Sequence, residues 1–71
     1  MITIDLHGFR HYMVKGFLIR KIEELWDTNS DVAIITGHSE LMKEEVRQVL
    51  DEYKLEYHED PVNRGMLVTV I

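Results

Sequence analysis

Cysteine is absent from the chain, and proline occurs once, at Pro61. Without cysteine there is no disulfide framework and no thiolate zinc site to hold a small fold together. No apolar run approaches the length of a membrane span, and no segment has the composition of a signal peptide. We therefore expect a protein with no membrane partner and a cytoplasmic location.

The residues that are present suit one domain, residues 1–71. Hydrophobic side chains make up 45% and charged ones 30%, which is typical of a small globular fold. A chain of this length buries only about 60% of its unfolded surface, so the core is expected to be thin.

The net charge of −5 is unevenly distributed. Residues 1–22 carry four cations and one acid, a net of +3, whereas residues 23–35 carry four acids and no cation, a net of −4. An acidic total argues against a nucleic-acid partner, because phosphate contacts need local positive charge. The basic first third nevertheless allows a basic patch on an acidic domain.

The segment Asp5-Leu6-His7-Gly8 ends the first apolar run. If residues 2–6 form a strand, side chains alternate, so Asp5 and His7 share one face and the aliphatic residues face a core. A carboxylate and an imidazole on one face form a candidate acid/base pair. Taken alone, the pair is more typical of polar residues on a solvated sheet face.

Hydrophobic spacing predicts two helices and three further strands. Apolar residues recur every three or four positions between residues 13 and 26 and between residues 41 and 53, with Ser39 as N-cap of the second helix. Residues 32–35, 55–58 and 66–71 are predicted strands. Trp26 is assigned to the core, and Gly65 is expected at positive φ.

The order β-α-β-α-β-β implies an α/β two-layer sandwich. Right-handed crossovers place both helices on one face of the sheet. The other face is open, and we expect Asp5 to point into it, with Thr3 and Thr69 beside it.

The two crossovers leave their strands at the same edge of the sheet, so residues 5–8 and the segment Thr36-Gly37-His38-Ser39 are expected side by side. Free N–H groups at the start of the second helix favour an anion there, and a phosphate is the natural ligand. The candidate nucleic-acid contacts at this edge are Gly8, Arg10, His11, Lys15, Thr36, Gly37, Ser39 and Arg47, with His38 and Lys43 nearest the reacting phosphate.

These segments resemble the Smr domain, a small domain found at the C-terminus of certain MutS-like proteins and also as separate proteins. Residues 5–8 match its Asp-Leu-His-Gly signature, Thr36-Gly37 resembles the opening of its glycine loop, and residues 65–70 resemble its closing strand. Met42, Lys43 and Val46 resemble the start of its second helix. The chain departs from the family pattern in a shorter loop after Gly37, and in Arg10 where Ser or Thr usually stands.

The resemblance implies a fold similar to the C-terminal domain of translation initiation factor 3, with a four-stranded mixed sheet whose last strand is antiparallel. It also implies endonuclease activity, on RNA in some members and as DNA nicking in others, with Asp5 and His7 in the catalytic motif.

Two routes to cleavage follow as hypotheses. On RNA, His7 would act as general base, with Asp5 fixing its tautomer or position. Lys43 and His38 would stabilise the phosphorane, or His38 would protonate the leaving oxygen. On DNA, water or a metal-bound hydroxide would attack. Asp5, His7 and His38 are then candidate ligands of a divalent ion, although they do not form a complete ligand set.

Two other functions remain open. One is a nucleic-acid-binding module that does not cut, which the shorter loop and the acidic charge favour. The other is a protein-interaction domain or homodimer that uses the open sheet face. A thin core that gains from covering another apolar surface supports the second alternative.

Overall fold

The computed structural model describes all 71 residues, Met1–Ile71, and has the predicted order of elements. In chain order these are β1 (Ile2–Asp5), α1 (His11–Glu24), β2 (Asp31–Ile35), α2 (Glu40–Glu52), β3 (Tyr57–Glu59) and β4 (Met66–Val70). The α/β two-layer prediction is confirmed.

The strands form one four-stranded mixed sheet in the order β1-β2-β4-β3. β1 pairs parallel with β2, and β4 lies between β2 and β3, antiparallel to both. The carboxyl ends of β1, β2 and β3 and the start of β4 therefore lie at one edge. This edge, with residues 5–8, 36–39 and 60–65, is the carboxyl edge.

The core lies between the sheet and the two helices. Alternation along β1 directs Ile4 and Leu6 inward, and both side chains are buried. The helices present their apolar stripes to the same face. Other buried members of the core are Val14, Leu18, Ile22, Val32, Ile34, Met42, Val46, Val49, Leu50, Leu67 and Ile71. Neither helix has the length and apolar character needed to cross a membrane.

Two predictions about polar and glycine positions are wrong. Thr69 lies on the core side, because it pairs with Val32, and its hydroxyl donates to the Glu56 carbonyl at 2.6 Å. Gly65 does not have positive φ; the glycines that do are Gly8 at 87° and Gly37 at 66°.

The third strand begins two residues later than predicted. Leu55 belongs to the end of α2, where its N–H donates to the Leu50 carbonyl at 2.9 Å. Lys54, at φ 58°, supplies the left-handed residue that such a helix end needs. The apparent alternation that starts at Leu55 therefore reflects helix termination followed by a three-residue strand.

Trp26 is not a core residue. It follows the end of α1, is 51% exposed, and its ring lies 5.5 Å from the Tyr53 ring. Trp26 was assigned to the core by its helical spacing, but the helix ends at the Leu25 C-cap. Trp26 therefore lies beyond the helix and packs on Tyr53 at the C-terminal end of α2.

Candidate nucleic-acid interface

The two predicted loops meet at the carboxyl edge. The parallel pairing continues past β1, where the Leu6 N–H donates to the Ile35 carbonyl at 2.8 Å. Beyond it, the His7 ring packs on Gly37, since a methyl group at Gly37 would lie 3.1 Å from Cδ2 of His7. Glycine at this position therefore provides both the positive φ and the room for the imidazole.

A third segment, which the sequence reasoning missed, holds the second loop in place. The Gly65 carbonyl accepts hydrogen bonds from the N–H groups of Thr36 and Gly37, at 2.8 and 3.1 Å. The buried Thr36 hydroxyl lies 2.9 Å from the Gly37 carbonyl oxygen and 3.2 Å from that of Gly65, and its single proton is donated to one of them at a time. Thr36 is therefore a structural residue, and its hydroxyl does not face a ligand.

The turn that carries Gly65 is fixed by side-chain bonds to the backbone. The Asp60 carboxylate accepts the N–H groups of Val62 and Asn63, each at 2.9 Å. These bonds, from Asn63 first and Val62 second, hold the pKa of Asp60 below its ordinary value of 3.8. The Asn63 side chain in turn accepts the Gly65 N–H at 3.0 Å.

Asp5 acts on the backbone of His7. Its carboxylate accepts the His7 N–H at 3.0 Å, which fixes the turn that leads into Gly8. Asp5 was expected to fix either the position or the tautomer of His7. The bond to the backbone is consistent with the first role, and Asp5 makes no bond to the imidazole that would select a tautomer. His38 follows Gly37 and is exposed. No three His, Asp or Glu side chains group closely enough to hold a metal ion.

The two helices begin differently at this edge. Ser39 caps α2, as predicted, by accepting the Met42 N–H at 3.2 Å, and Glu40 adds negative charge to the first turn. α1 begins after Arg10 with no side-chain cap and no acid in its first turn. The start of α1 is thus the more favourable of the two for an anion.

Two side chains that were predicted to contact phosphate instead bond residues of α2. The His11 ring nitrogen Nδ1 lies 3.2 Å from a carboxylate oxygen of Glu45. The Lys15 ammonium donates to the Gln48 side chain at 2.7 Å. Both side chains therefore link α1 to α2, and neither makes a hydrogen bond to His7.

Lys43 and Arg47 are also directed away from the Asp5–His7 turn. The Lys43 ammonium is almost fully buried and lies 3.4 Å from Glu59 and 3.6 Å from Glu40. Arg47 lies 4.0 Å from Glu59. Glu59 is on β3, three strands from β1, or about 14 Å at the usual strand spacing.

A signal for this placement of Lys43 was present in the sequence. Lys43, Val46 and Leu50 follow the spacing of one helix face, and all three are buried. A lysine within an apolar stripe is expected to reach for a carboxylate at the margin of the core, as Lys43 does.

The guanidinium groups of two arginines at the carboxyl edge make no ion pair or hydrogen bond within the chain. The arginines are Arg10, at the entry to α1, and Arg64, in the turn beside Gly65; both are exposed. Arg64 was missed by the sequence reasoning. Because Met66 pairs with Ile35, the turn before β4 has to adjoin the loop after β2. The antiparallel last strand that the resemblance implies was the signal that could have placed Arg64 there.

Comparison of the chain with protein-family models, with curated proteins and with solved structures gives no match. The resemblance to the Smr domain therefore rests on the motifs and their order, and it stays a prediction. The geometry contributes a separate observation: residues 5–8, 36–39 and 60–65, which carry His7, His38 and Arg64, come together at one edge, and Arg10 follows the first of them at the start of α1.

Proposed function

We propose that this chain acts on nucleic acid at the carboxyl edge, as an endonuclease in which His7 is the catalytic base. The observation that carries the proposal is the packing of the His7 ring on Gly37, which joins the Asp5–Gly8 turn to the loop bearing His38. The free guanidinium groups of Arg10 and Arg64 supply local positive charge for a phosphate on an otherwise acidic chain.

On RNA the reaction would be a transfer within the substrate. His7 removes the proton of a 2′-hydroxyl, the 2′-oxygen bonds to phosphorus, and the bond to the 5′-oxygen breaks. His38 gives a proton to that leaving oxygen, so the products are a cyclic phosphate and a 5′-hydroxyl. Imidazole exchanges protons near neutral pH, which suits both roles.

Asp5 is a positioning residue in this scheme, because its carboxylate holds the His7 backbone. Charge on the phosphorane is stabilised by Arg10 and Arg64, which take the part first expected of Lys43. On DNA, which lacks the 2′-hydroxyl, an attacking water takes the place of the sugar oxygen.

A second candidate is a nucleic-acid-binding module that does not cut. It is favoured by a specific contact: the Asp5 carboxylate bonds the backbone N–H of His7, so the imidazole has no carboxylate partner. Such a module would use the same arginines and the same edge.

The test is to incubate the protein with labelled single-stranded RNA and with supercoiled plasmid, with and without EDTA. We expect cleavage to be lost in His7→Ala and kept in His58→Ala, the control for an exposed histidine on β3. Asp5→Asn, which keeps an acceptor for the His7 N–H, is expected to retain more activity than Asp5→Ala.

Each outcome has a consequence. Cleavage that survives His7→Ala would remove the catalytic proposal. Binding without cleavage, weakened by salt, would favour the non-catalytic module. If neither binding nor cleavage is seen, the carboxyl edge is not a nucleic-acid site.

A further inference from the structure

The open face of the sheet carries an apolar stripe along its two central strands. Ala33 and Ile35 on β2 pair with Val68 and Met66 on β4, so their side chains lie next to one another on the face opposite the helices. Val70 continues the stripe and is 45% exposed. No element of the chain covers this face.

The sequences of these strands are typical of strands covered on both sides. β2 reads Asp-Val-Ala-Ile-Ile and β4 reads Met-Leu-Val-Thr-Val, without the polar alternation of a half-solvated sheet. Near-continuous apolar runs are found where both faces of a sheet are packed. The helices cover one face only, so the pattern implies a partner on the other.

Charge around the stripe indicates the kind of partner. Asp5 and Asp31 lie on the open face at opposite ends of the sheet, and Glu56 lines a shallow depression beside Asp31 and Val70. Lys54 is the one lysine or arginine in the lining of that depression. The apolar stripe is thus bordered mainly by carboxylates.

We propose that the open face docks an amphipathic helix of another protein, with an apolar stripe flanked by lysine or arginine. A helix lying along β2 and β4 would pack on this face of the sheet as α1 and α2 pack on the opposite face. Basic flanking residues would meet the carboxylates of Asp5, Asp31 and Glu56.

The same charges disfavour two other occupants. Two copies of the chain packed through this face would bring together the three carboxylates of Asp5, Asp31 and Glu56 from each copy, with only one lysine per copy, Lys54, beside them. Nucleic acid would meet these carboxylates with its own negative charge. The docking face and the carboxyl edge are therefore separate surfaces that adjoin at Asp5.

The probes are two synthetic 16-residue helical peptides with the same leucine stripe, one with lysine flanks and one with glutamate flanks. NMR shift mapping is expected to show the lysine peptide perturbing the amides of β2 and β4. We expect Asp31→Lys with Glu56→Lys to weaken its affinity about tenfold. The matched control, Glu44→Lys with Glu52→Lys, makes the same change of net charge on α2 and is expected to have little effect.

Several results would overturn the proposal. They are failure of the lysine peptide to bind, equal binding of the glutamate peptide, or shift changes confined to the helices. Concentration-dependent dimerisation in sedimentation, abolished by Val70→Lys but unaffected by Val62→Lys in the exposed turn, would assign the face to a second copy instead. Loss of nuclease activity in His7→Ala bears on the carboxyl edge alone, so the two proposals fail separately.

Discussion

The Gly65 carbonyl accepts hydrogen bonds from the backbone N–H groups of two successive residues, Thr36 and Gly37. A methyl group on Gly65 would lie 3.1 Å from the Cα, the carbonyl carbon and the carbonyl oxygen of Gly37. Backbone atoms cannot rotate away as a flexible side chain can. Gly65 therefore fixes Gly37, and Gly37 in turn supports the His7 ring.

Gly65→Ala is expected to lower the free energy of unfolding by about 1–3 kcal/mol, because it overpacks a rigid backbone contact. Gly16→Ala is the matched control. A methyl group there would meet no atom within 4 Å on the exposed side of α1, so stability should rise by about 0.5–1 kcal/mol. Urea unfolding of both variants measures the difference, and equal effects would contradict the close approach at Gly65.

Asp60 makes the same turn sensitive to acid. Hydrogen bonds from Asn63 and Val62 lower the pKa of Asp60 in the folded state. The ionised Asp60 carboxylate therefore stabilises the fold at pH values above 3.8, the ordinary pKa of the group. This stabilisation is lost as the pH falls below 3.8 through the lower pKa of the folded state.

We expect Asp60→Asn to flatten the fall in stability between about pH 5 and pH 2. Carbon-13 NMR titration of the carboxyl groups measures the pKa of Asp60 directly, and urea unfolding across the pH range measures the consequence. Glu52→Gln, at an exposed carboxylate at the end of α2, is the control. If the free energy of unfolding of Asp60→Asn depended on pH as that of the wild type does, the hydrogen bonds of this turn would contribute nothing to stability.

At the scale of the elements, the order of strands and helices was predictable because the helices have a clear hydrophobic period and β2 and β4 are short apolar runs. The errors occur where local chemistry interrupts that period. Lys54 at φ 58° ends α2 and delays β3, and the α1 C-cap leaves Trp26 outside the core. Two of the three segments of the candidate site, residues 5–8 and 36–39, were also predictable, because parallel strands end at a common edge.

The rest of the site depended on long-range pairing that residue spacing does not encode. Arg64 joins the edge only because β4 inserts between β2 and β3. Lys43 is directed away from the Asp5–His7 turn because its ammonium donates to Glu59, sixteen residues later in the chain, at the end of β3. Neither partner can be inferred from neighbours in sequence.

The uncapped start of α1 connects stability with binding. Arg10 occupies the N-cap position with no side-chain bond. Arg10→Ser would supply a cap and is expected to raise stability by about 0.5–1 kcal/mol, while it weakens binding to nucleic acid. Arg10→Gln removes the same charge and is less suited to capping. It should weaken binding equally without the gain in stability, and equal stabilities for the two variants would contradict the capping argument.

At the scale of the whole molecule, three of the eight lysines and arginines pair with carboxylates, and a fourth is held by a neutral side chain. Lys21, Lys43 and Arg47 pair with carboxylates, and Lys15 donates to Gln48. The basic first third predicted from the sequence therefore does not appear as one basic patch. What remains at the carboxyl edge is Arg10 and Arg64, on a chain of net charge −5.

These two charges would set the salt dependence of the proposed binding to nucleic acid. Two phosphate contacts to single-stranded nucleic acid predict a slope of about −1.4 for the logarithm of affinity against the logarithm of salt concentration. Arg64→Gln should halve the slope, whereas Arg20→Gln, at an exposed position on α1 away from that edge, should leave it unchanged. Fluorescence anisotropy with a labelled oligonucleotide across a salt series measures each slope. A wild-type slope near −4 would require Lys15, Lys43 or Arg47 to leave their partners, and would place the binding surface on the helices instead of at the carboxyl edge.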